Sequence, residues 1–309
     1  MSDHATAYDF RLGIDLGGTK IEIVALDPAG GFSHRKRIPT PPRYDDTVEG
    51  IAGLVLEAEQ VLGGRGSVGI GIPGVISPST GLVKNANSIA LNGHAFDKDL
   101  IARLARPVRV NNDANCFTLS EAADGAGVGH RVVFGVIVGT GCGGGLVVDG
   151  KLIAGPHMVT GEWGHTPLPW PKPEDLPYPK CWCGQEGCLE RYISGTALAI
   201  DYGGPDARDA HVVVERAAAG EARAQAVLAR HADRMGRGLA VIVNILDPDV
   251  IVLGGGLSNM DHLYEALPKV LSRHVFSDFV STPIIKNHHG DSSGVRGACW
   301  LWPPPQPAA

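Results

Sequence analysis

Apolar residues in this chain follow two spacings, one typical of short buried strands and one typical of amphipathic helices. Three apolar runs open the chain, at residues 12–16, 21–26 and 32–38, and turns rich in glycine separate them. Strands joined by tight turns form an antiparallel meander. Over residues 47–62 the apolar positions recur every three or four residues, which predicts a helix packed on that sheet.

The second half of the chain repeats this order of elements. A strand at 132–138, a glycine turn at 139–145 and a strand at 146–148 match the opening strand, turn and strand. The repeat predicts a duplicated α/β fold. We expect one domain over residues 1–115, with a C-terminal helix at about 292–302 packing back on it, and a second domain over residues 116–291.

The remaining elements are predicted from the same two spacings. They are strands at 68–72, 108–111 and 250–253, and helices at 97–104, 114–123, 209–246 with a break near Gly220, and 261–274.

Composition and charge exclude several classes of protein. The formal net charge is −6, with no run of Lys or Arg, so nucleic-acid and membrane-surface partners are not expected. The most apolar long stretch, 238–257, is interrupted by Asp247, Pro248 and Asp249 and does not predict a membrane span. Six cysteines without an apolar leader fit a reducing compartment, so a cytoplasmic location is expected.

Glycine is the unusual residue, with 42 in 309, about twice the usual share of ~7%. Gly17 and Gly18 lie between two predicted strands, where their backbone N–H groups can converge on an anion. Thr19 adds a hydroxyl, Lys20 a positive charge, and Asp15 a carboxylate for Mg²⁺, directly or through water. A plain hairpin turn with Asp15 as turn former is the alternative.

Two further glycine clusters extend this hypothesis. Gly139, Thr140 and Gly141 begin a second cradle that runs to Gly145, and Gly254, Gly255 and Gly256 end a predicted strand. Ligands of α/β sheets bind at the carboxyl ends of strands.

Dinucleotide binding and the P-loop are excluded by context. The G-x-G-x-x-G matches at 69–74 and 139–144 do not lead from a strand into a helix, and no G-x-x-x-x-G-K-[ST] is present.

Asp113 is the candidate catalytic residue. It follows a predicted strand, precedes a predicted helix and adjoins Asn112. A carboxylate in this position can act as general base toward a hydroxyl, with Asn112 orienting the same substrate. The alternative is a structural one, because Asp is a favoured helix N-cap.

A metal site is predicted from His165, Cys181, Cys183 and Cys188. Three cysteines within eight residues and one histidine suit a tetrahedral zinc site, which has no open position and is therefore structural. Reduced thiols near an unrelated histidine are the alternative. Glu162 and Glu190 flank this constellation.

Together these residues resemble the ROK family of sugar kinases, within the actin-like ATPase superfamily. The matching motifs are Gly13-Ile-Asp-Leu-Gly-Gly-Thr-Lys20, Asn111-Asn-Asp-Ala-Asn115, Val138-Gly-Thr-Gly141, Gly161-Glu-Trp-Gly-His165, Cys181-Trp-Cys-Gly-Gln-Glu-Gly-Cys-Leu-Glu190 and Asp249-Val-Ile-Val-Leu-Gly-Gly-Gly256.

The resemblance implies an α/β fold of two actin-like, ribonuclease H-like domains flanking an active-site cleft, and a homodimer. ATP, Mg²⁺ and a structural Zn²⁺ are the implied cofactors. The implied roles are ATP phosphate binding by the turns that begin at Gly17 and Gly139, adenosine binding by Gly254–Gly256, general base catalysis by Asp113, and sugar binding by Asn112, Glu162, His165 and Glu190.

Within the family, several stretches look most like bacterial fructokinases, so the predicted reaction is phosphorylation of fructose to fructose 6-phosphate, with mannose or glucose as further substrates. These stretches are 84–88, 91–93, 96–100, 167–170 and 290–297. N-acetylglucosamine kinase of the same family is the alternative, since carboxylates and amides suit all these sugars.

Two other classes of protein are less well matched. A sugar-sensing transcriptional regulator of this family needs a helix-turn-helix domain ahead of the first strand, where only 11 residues precede Leu12. A sugar-binding protein with a dead active site predicts a loss among Asp15, Asp113, Glu162 and Glu190, and all four are present.

Overall fold

The computed structural model describes residues 8–27, 29–86 and 89–305. Residues 87 and 88, part of the fructokinase-like stretch 84–88, therefore lie outside the described chain. The strands are β1 Phe10–Leu16, β2 Lys20–Leu26, β3 Phe32–Pro39, β4 Gly66–Ile72, β5 Val75–Ile76, β6 Val83–Lys84, β7 Val108–Asn112, β8 Val132–Val138, β9 Cys142–Val148, β10 Lys151–Leu152, β11 Val250–Gly254 and β12 Ile284–Lys286.

The described residues form nine α-helices. They are α1 Tyr44–Leu62, α2 Phe96–Leu104, α3 Asp113–Asp124, α4 Glu190–Ile193, α5 Gly195–Gly203, α6 His211–Ala218, α7 Ala222–Leu246, α8 His262–His274 and α9 Ser293–Trp300.

Two five-stranded sheets share one topology, which confirms the predicted duplication. The first has the order β3-β2-β1-β4-β7 and the second the order β10-β9-β8-β11-β12. In the first sheet β1 and β2, and β2 and β3, pair antiparallel, whereas β4 runs parallel to both β1 and β7. In the second sheet β8 pairs antiparallel with β9 and parallel with β11. Each sheet is thus a meander extended by parallel strands, the pattern of the ribonuclease H-like fold.

Contacts divide the chain into two compact units. The first combines residues 1–124, 152–160 and 291–309, and the second combines residues 125–151 and 161–290. The expected boundary at residue 115 falls inside α3, which remains whole in the first unit. The sequence pattern also gave no sign that residues 152–160 return to the first unit.

In the first unit, α9 packs against the sheet at positions where β1 and β4 have glycine. A Cβ atom at Gly13 or at Gly69 would overlap the backbone of α9, at Val295 and Ala298 respectively. Glycine at these positions therefore lets a helix approach the sheet backbone directly, and the C-terminal helix lies in this unit, as expected.

In the second unit, buried charges fix a long loop, residues 166–189, to α7; its first half is rich in proline. Asp175 is almost fully buried and accepts hydrogen bonds from Arg234 Nε at 2.7 Å and Arg237 Nη2 at 2.9 Å. Arg237 Nη1 also donates to the carbonyl oxygens of Pro169 and Trp170. Removing one partner of such a cluster leaves a buried charge uncompensated, so the loop is strongly held.

The structure corrects several expected elements. The strand expected at 146–148 begins four residues earlier at Cys142, and α4 and α5 lie where no helix was expected. Their short length gave no clear helical period. Among the described residues, no helix combines the length and apolarity needed to cross a membrane.

Buried His231 makes the stability of the second unit depend on pH. Its Nε2 lies 2.7 Å from the carbonyl oxygen of Ile193, and burial lowers its pKa to about 4. The unfolded chain therefore binds a proton below a pH of about 6.5 that the folded chain does not bind. Stability from this group is complete above that pH and is lost as the pH falls toward 4.

We expect His231→Gln to weaken this acid sensitivity. Between pH 7 and pH 5 the wild type should lose about 2 kcal/mol of unfolding free energy from this residue alone. Urea unfolding of both proteins at the two pH values measures the difference. Equal losses in wild type and variant would contradict the assignment.

Candidate active site and metal centre

The turn between β1 and β2 holds the first group of predicted site residues. Gly17 N–H donates to the carbonyl oxygen of Lys20 at 3.0 Å, and Thr40 Oγ1 donates to the carbonyl oxygen of Gly17 at 2.7 Å. Gly18, Thr19 and Lys20 are exposed. No atom lies within 4 Å of the position of a Cβ on Gly18, so this backbone is open to a ligand.

Asp15 lies near the end of β1, opposite Glu22 of β2. Burial raises the pKa of its carboxyl to about 6, with a further increase from Glu22 and an opposing effect of Lys20. Glu22 is itself paired with Arg35 at 2.5 Å and Arg37 at 2.8 Å. Burial thus disfavours the charged form of the Asp15 carboxyl, and a cation beside it would stabilise that form.

Asn112 and Asp113 lie where β7 ends and α3 begins. The Asn112 side chain is fixed at both ends, because Oδ1 accepts from Ala114 N–H at 2.9 Å and Nδ2 lies 3.4 Å from the carbonyl oxygen of Gly74. Asp113 Oδ1 accepts from the same Ala114 N–H at 2.8 Å. Asp113 is the first residue of the helix and not the residue before it, and the positive helix N-terminus stabilises its charge.

In the second unit, the glycine turn is shorter than expected. Only Gly139, Thr140 and Gly141 connect β8 to β9, and Gly139 N–H donates to the carbonyl oxygen of Gly141 at 3.0 Å. The turn is tied to the start of α5, where Gly195 N–H donates to the carbonyl oxygen of Gly139 at 2.7 Å.

Residues 143–145, the rest of the predicted cradle, lie in β9. They receive the segment that carries Glu162 and His165. A Cβ atom on Gly161 would overlap the backbone of Gly144, and Trp163 Nε1 donates to the carbonyl oxygen of Gly143 at 3.1 Å. The glycines of β9 therefore allow this segment to lie directly against the sheet, where the Trp163 hydrogen bond fixes its position.

Glu190, the first residue of α4, extends its carboxylate to the glycine turn. Its Oε2 accepts from Cys142 N–H at 2.9 Å, and its Oε1 accepts from Trp182 Nε1 at 2.9 Å. A Cβ atom on Gly141 would lie 2.9 Å from Oε2. A side chain at position 141 would therefore displace the Glu190 carboxylate, a contact that sequence reasoning did not foresee for Gly141.

His165, Cys181, Cys183 and Cys188 form one cluster, as predicted. Their ligand atoms all lie within 4.8 Å of one another. Cys181 Sγ is 3.7 Å from His165 Nδ1, and Cys183 Sγ is 3.5 Å from Cys188 Sγ. Metal–ligand bonds of about 2.0–2.3 Å in a tetrahedron produce separations of this size, so the four residues can hold a metal ion.

The thiols of the cluster differ in acidity. A hydrogen bond from the backbone of Gln185 lowers the pKa of Cys183, whereas burial raises the pKa of Cys188 to about 12. All six cysteines of the chain are free thiols. Since metal ligation requires thiolates, a bound cation would neutralise the negative charge that burial disfavours at Cys188.

The third glycine cluster ends β11. Gly255 has a positive φ of 76° and begins a single 3₁₀ turn, Gly256–Asn259, ahead of α8. A Cβ atom on Gly255 would overlap the backbone of Val138 at the end of β8. Gly254, Gly255 and Gly256 therefore lie at the carboxyl edge of the second sheet, where an adenosine site was predicted.

Each unit brings its own candidate carboxylates together around a buried cysteine. Burial is the main cause of a raised pKa at both Cys116 and Cys142. The charges of Asp113 and Asp15 raise the pKa of Cys116 further, and those of Glu190 and Glu162 raise the pKa of Cys142 further. The predicted catalytic and Mg²⁺-binding residues are thus neighbours in the first unit. The predicted sugar-binding carboxylates are neighbours in the second unit.

Sequence reasoning missed Trp182, whose indole N–H binds Glu190. A tryptophan between two cysteines was the only signal, and its direction depends on the fold of the loop.

With this geometry in place, comparison with known proteins identifies the family. Residues 11–304 match the ROK family, and the chain belongs to it. The chain is 41% identical over 296 residues to the N-acetyl-D-glucosamine kinase of Salmonella gallinarum, covering 94% of this chain and 98% of the relative. A similar relative from Yersinia enterocolitica is 40% identical over the same length, covering 94% of this chain and 98% of that relative.

Solved structures agree with the fold. The ROK hexokinase of Thermus thermophilus superposes with a TM-score of 0.83 at 31% identity, covering 94% of this chain and 97% of that chain. A ROK family glucokinase from Streptomyces griseus, in complex with glucose and AMPPNP, gives a TM-score of 0.74 at 28% identity, covering 94% and 98%. The actin-like, ribonuclease H-like fold is thereby confirmed.

Proposed function

We propose that the protein is an ATP-dependent sugar kinase whose substrate is N-acetyl-D-glucosamine. The observation that carries this proposal is the 41% identity to N-acetyl-D-glucosamine kinase over nearly the full length of both chains. ATP as phosphoryl donor is supported by the AMPPNP complex of the related glucokinase. The fructokinase prediction rested on five short stretches, and these relatives favour its alternative.

In the proposed reaction Asp113 acts as general base. Its carboxylate accepts the proton of a terminal sugar hydroxyl while that oxygen attacks the γ-phosphorus of ATP, and ADP leaves. Because positioning and charge stabilisation do most of the work in phosphoryl transfer, Asp113 contributes mainly by orienting the hydroxyl and accepting its proton late. Asn112 is held by Ala114 N–H and Gly74, which makes it a rigid hydrogen-bonding partner for the sugar.

The remaining roles follow from charge and position. We assign Glu162, His165 and Glu190 to the sugar hydroxyls. Gly17–Lys20 and Gly139–Gly141 are assigned to the ATP phosphates, and Gly254–Gly256 to adenosine. Asp15 would hold Mg²⁺, which neutralises phosphate charge when bound. The open backbone at Gly18 and the raised pKa of Asp15 support these assignments.

We further propose Zn²⁺ as the metal of the cluster formed by His165, Cys181, Cys183 and Cys188. Three sulfur ligands and one nitrogen suit zinc in a closed site, where it cross-links the loop without entering the chemistry. Support comes from the ligand separations, all within 4.8 Å.

Asp113→Asn should abolish turnover without loss of fold. The amide cannot accept the proton, so kcat is expected to fall by a factor on the order of 10²–10⁴, with little change in the Kd for sugar. Asp45→Asn is the matched control, because Asp45 is an exposed acid in the first turn of α1. Near-normal kcat in Asp113→Asn would remove Asp113 from the proposed role.

The substrate is tested by a coupled ATP assay on N-acetylglucosamine, fructose, mannose and glucose. We expect the highest kcat/KM for N-acetylglucosamine. A higher value for fructose would restore the fructokinase prediction, and no activity on any sugar would overturn the proposed function.

Metal removal should lower stability and activity together. Elemental analysis is expected to give about one zinc per chain, and a content below about 0.2 would defeat the assignment. Cys183→Ser removes an exposed ligand and should lose the metal, with a lower Tm. Cys299→Ser, a buried cysteine of the first unit, should keep it.

A further inference from the structure

Trp182 occupies an unusual position for a large aromatic residue. It lies between the two cluster cysteines Cys181 and Cys183, and its side chain is 61% exposed. A side chain this exposed buries little apolar surface, so hydrophobic packing does not account for a tryptophan at this position. It makes one hydrogen bond and one edge-to-face ring contact, and both partners are side chains assigned to the sugar.

The first contact is the hydrogen bond from Trp182 Nε1 to Glu190 Oε1 at 2.9 Å. The other carboxylate oxygen, Oε2, accepts from Cys142 N–H at 2.9 Å. Each oxygen therefore has one protein donor, and the carboxylate plane is fixed by groups on two separate segments. Each oxygen keeps a second lone pair, so Glu190 can still accept from a substrate hydroxyl.

The second contact is with the histidine of the cluster. The Trp182 and His165 rings meet edge to face, with centroids 4.9 Å apart and planes at 87°. His165 Nδ1 also lies 3.7 Å from Cys181 Sγ, so the imidazole contacts both the cysteine cluster and the Trp182 indole. One indole thus contacts two of the three side chains assigned to the sugar in the second unit.

We propose that Trp182 is a positioning residue that orients Glu190 and His165 for sugar binding. This inference rests on the proposed function. Its effect is placed on the binding of the sugar, because both of its contacts are with side chains assigned to the sugar.

The test compares Trp182→Phe with the wild type and with Trp170→Phe. Phenylalanine keeps an aromatic ring and removes the N–H. Trp170 is a suitable control because it is also an exposed tryptophan of the same loop, 47% exposed, and it stacks on His274 instead. Steady-state kinetics with N-acetylglucosamine and ATP, metal content and Tm are measured for all three proteins.

We expect Trp182→Phe to raise the KM for sugar about tenfold, the effect of losing a hydrogen bond to a charged group. The kcat, the KM for ATP, the metal content and the Tm should stay near wild-type values, and Trp170→Phe should match the wild type throughout. Equilibrium titration with sugar alone should show the same tenfold weakening, which separates binding from turnover.

Three outcomes would overturn the proposal. An unchanged sugar KM, or a loss confined to kcat, would show that Trp182 does not position Glu190. A raised KM accompanied by loss of metal or a lower Tm would assign the residue to loop structure. A wild type inactive on every sugar overturns the proposed function itself, whereas an active wild type with an unaffected Trp182→Phe variant overturns this proposal alone.

Discussion

The close approach of Gly144 and Gly161 is the constraint on which the second unit's candidate site depends. Any Cβ atom on Gly161 would overlap the backbone of Gly144. Because both are glycine, the segment from Gly161 to His165 lies directly on β9, and Trp163 anchors it by donating to Gly143. Glu162 and His165 then occur at fixed positions beside the sheet, and His165 reaches the cysteines.

A second constraint holds the loop that carries those cysteines. Asp175 is buried against Arg234 and Arg237 of α7, and Arg237 also binds the carbonyl oxygens of Pro169 and Trp170. These charges fix the start of the loop, and the four-residue cluster fixes its end. Glu190 follows the cluster closely in sequence. The buried charges and the cluster together therefore place its carboxylate beside the turn at Gly141.

In the first unit, too, strand glycines allow another segment to pack directly on the sheet. Glycines in β1 and β4 allow α9 to pack directly on the sheet, and glycines in β9 allow the segment 161–164 to do the same. The two sheets share one strand order, and in each the candidate carboxylates cluster around a buried cysteine. Much of the glycine excess therefore serves backbone packing, and only part of it leaves backbone open to a ligand, as at Gly18.

Local chemistry made much of this molecule predictable. The meander, the helix before Gly63 and the strand before Asn112 follow from apolar spacing, because burial of one face imposes that period. The grouping of His165 with Cys181, Cys183 and Cys188 was equally predictable, since three cysteines within eight residues and one histidine suit a metal site. Helices α4 and α5 were not predictable in this way, because their stability comes from packing on α7 and not from a long periodic pattern.

The amino-acid sequence by itself determined the duplicated strand–turn–strand order, the four residues of the candidate metal site and the family motifs, since these depend on residue type and spacing along the chain. Only the tertiary structure decided which glycines pack and which stay open, where Asp175 finds its arginines, and that Trp182 binds Glu190. The physical reason is that these contacts join distant segments or depend on side-chain direction. Such contacts are specified by the packed fold and leave no periodic trace in the sequence.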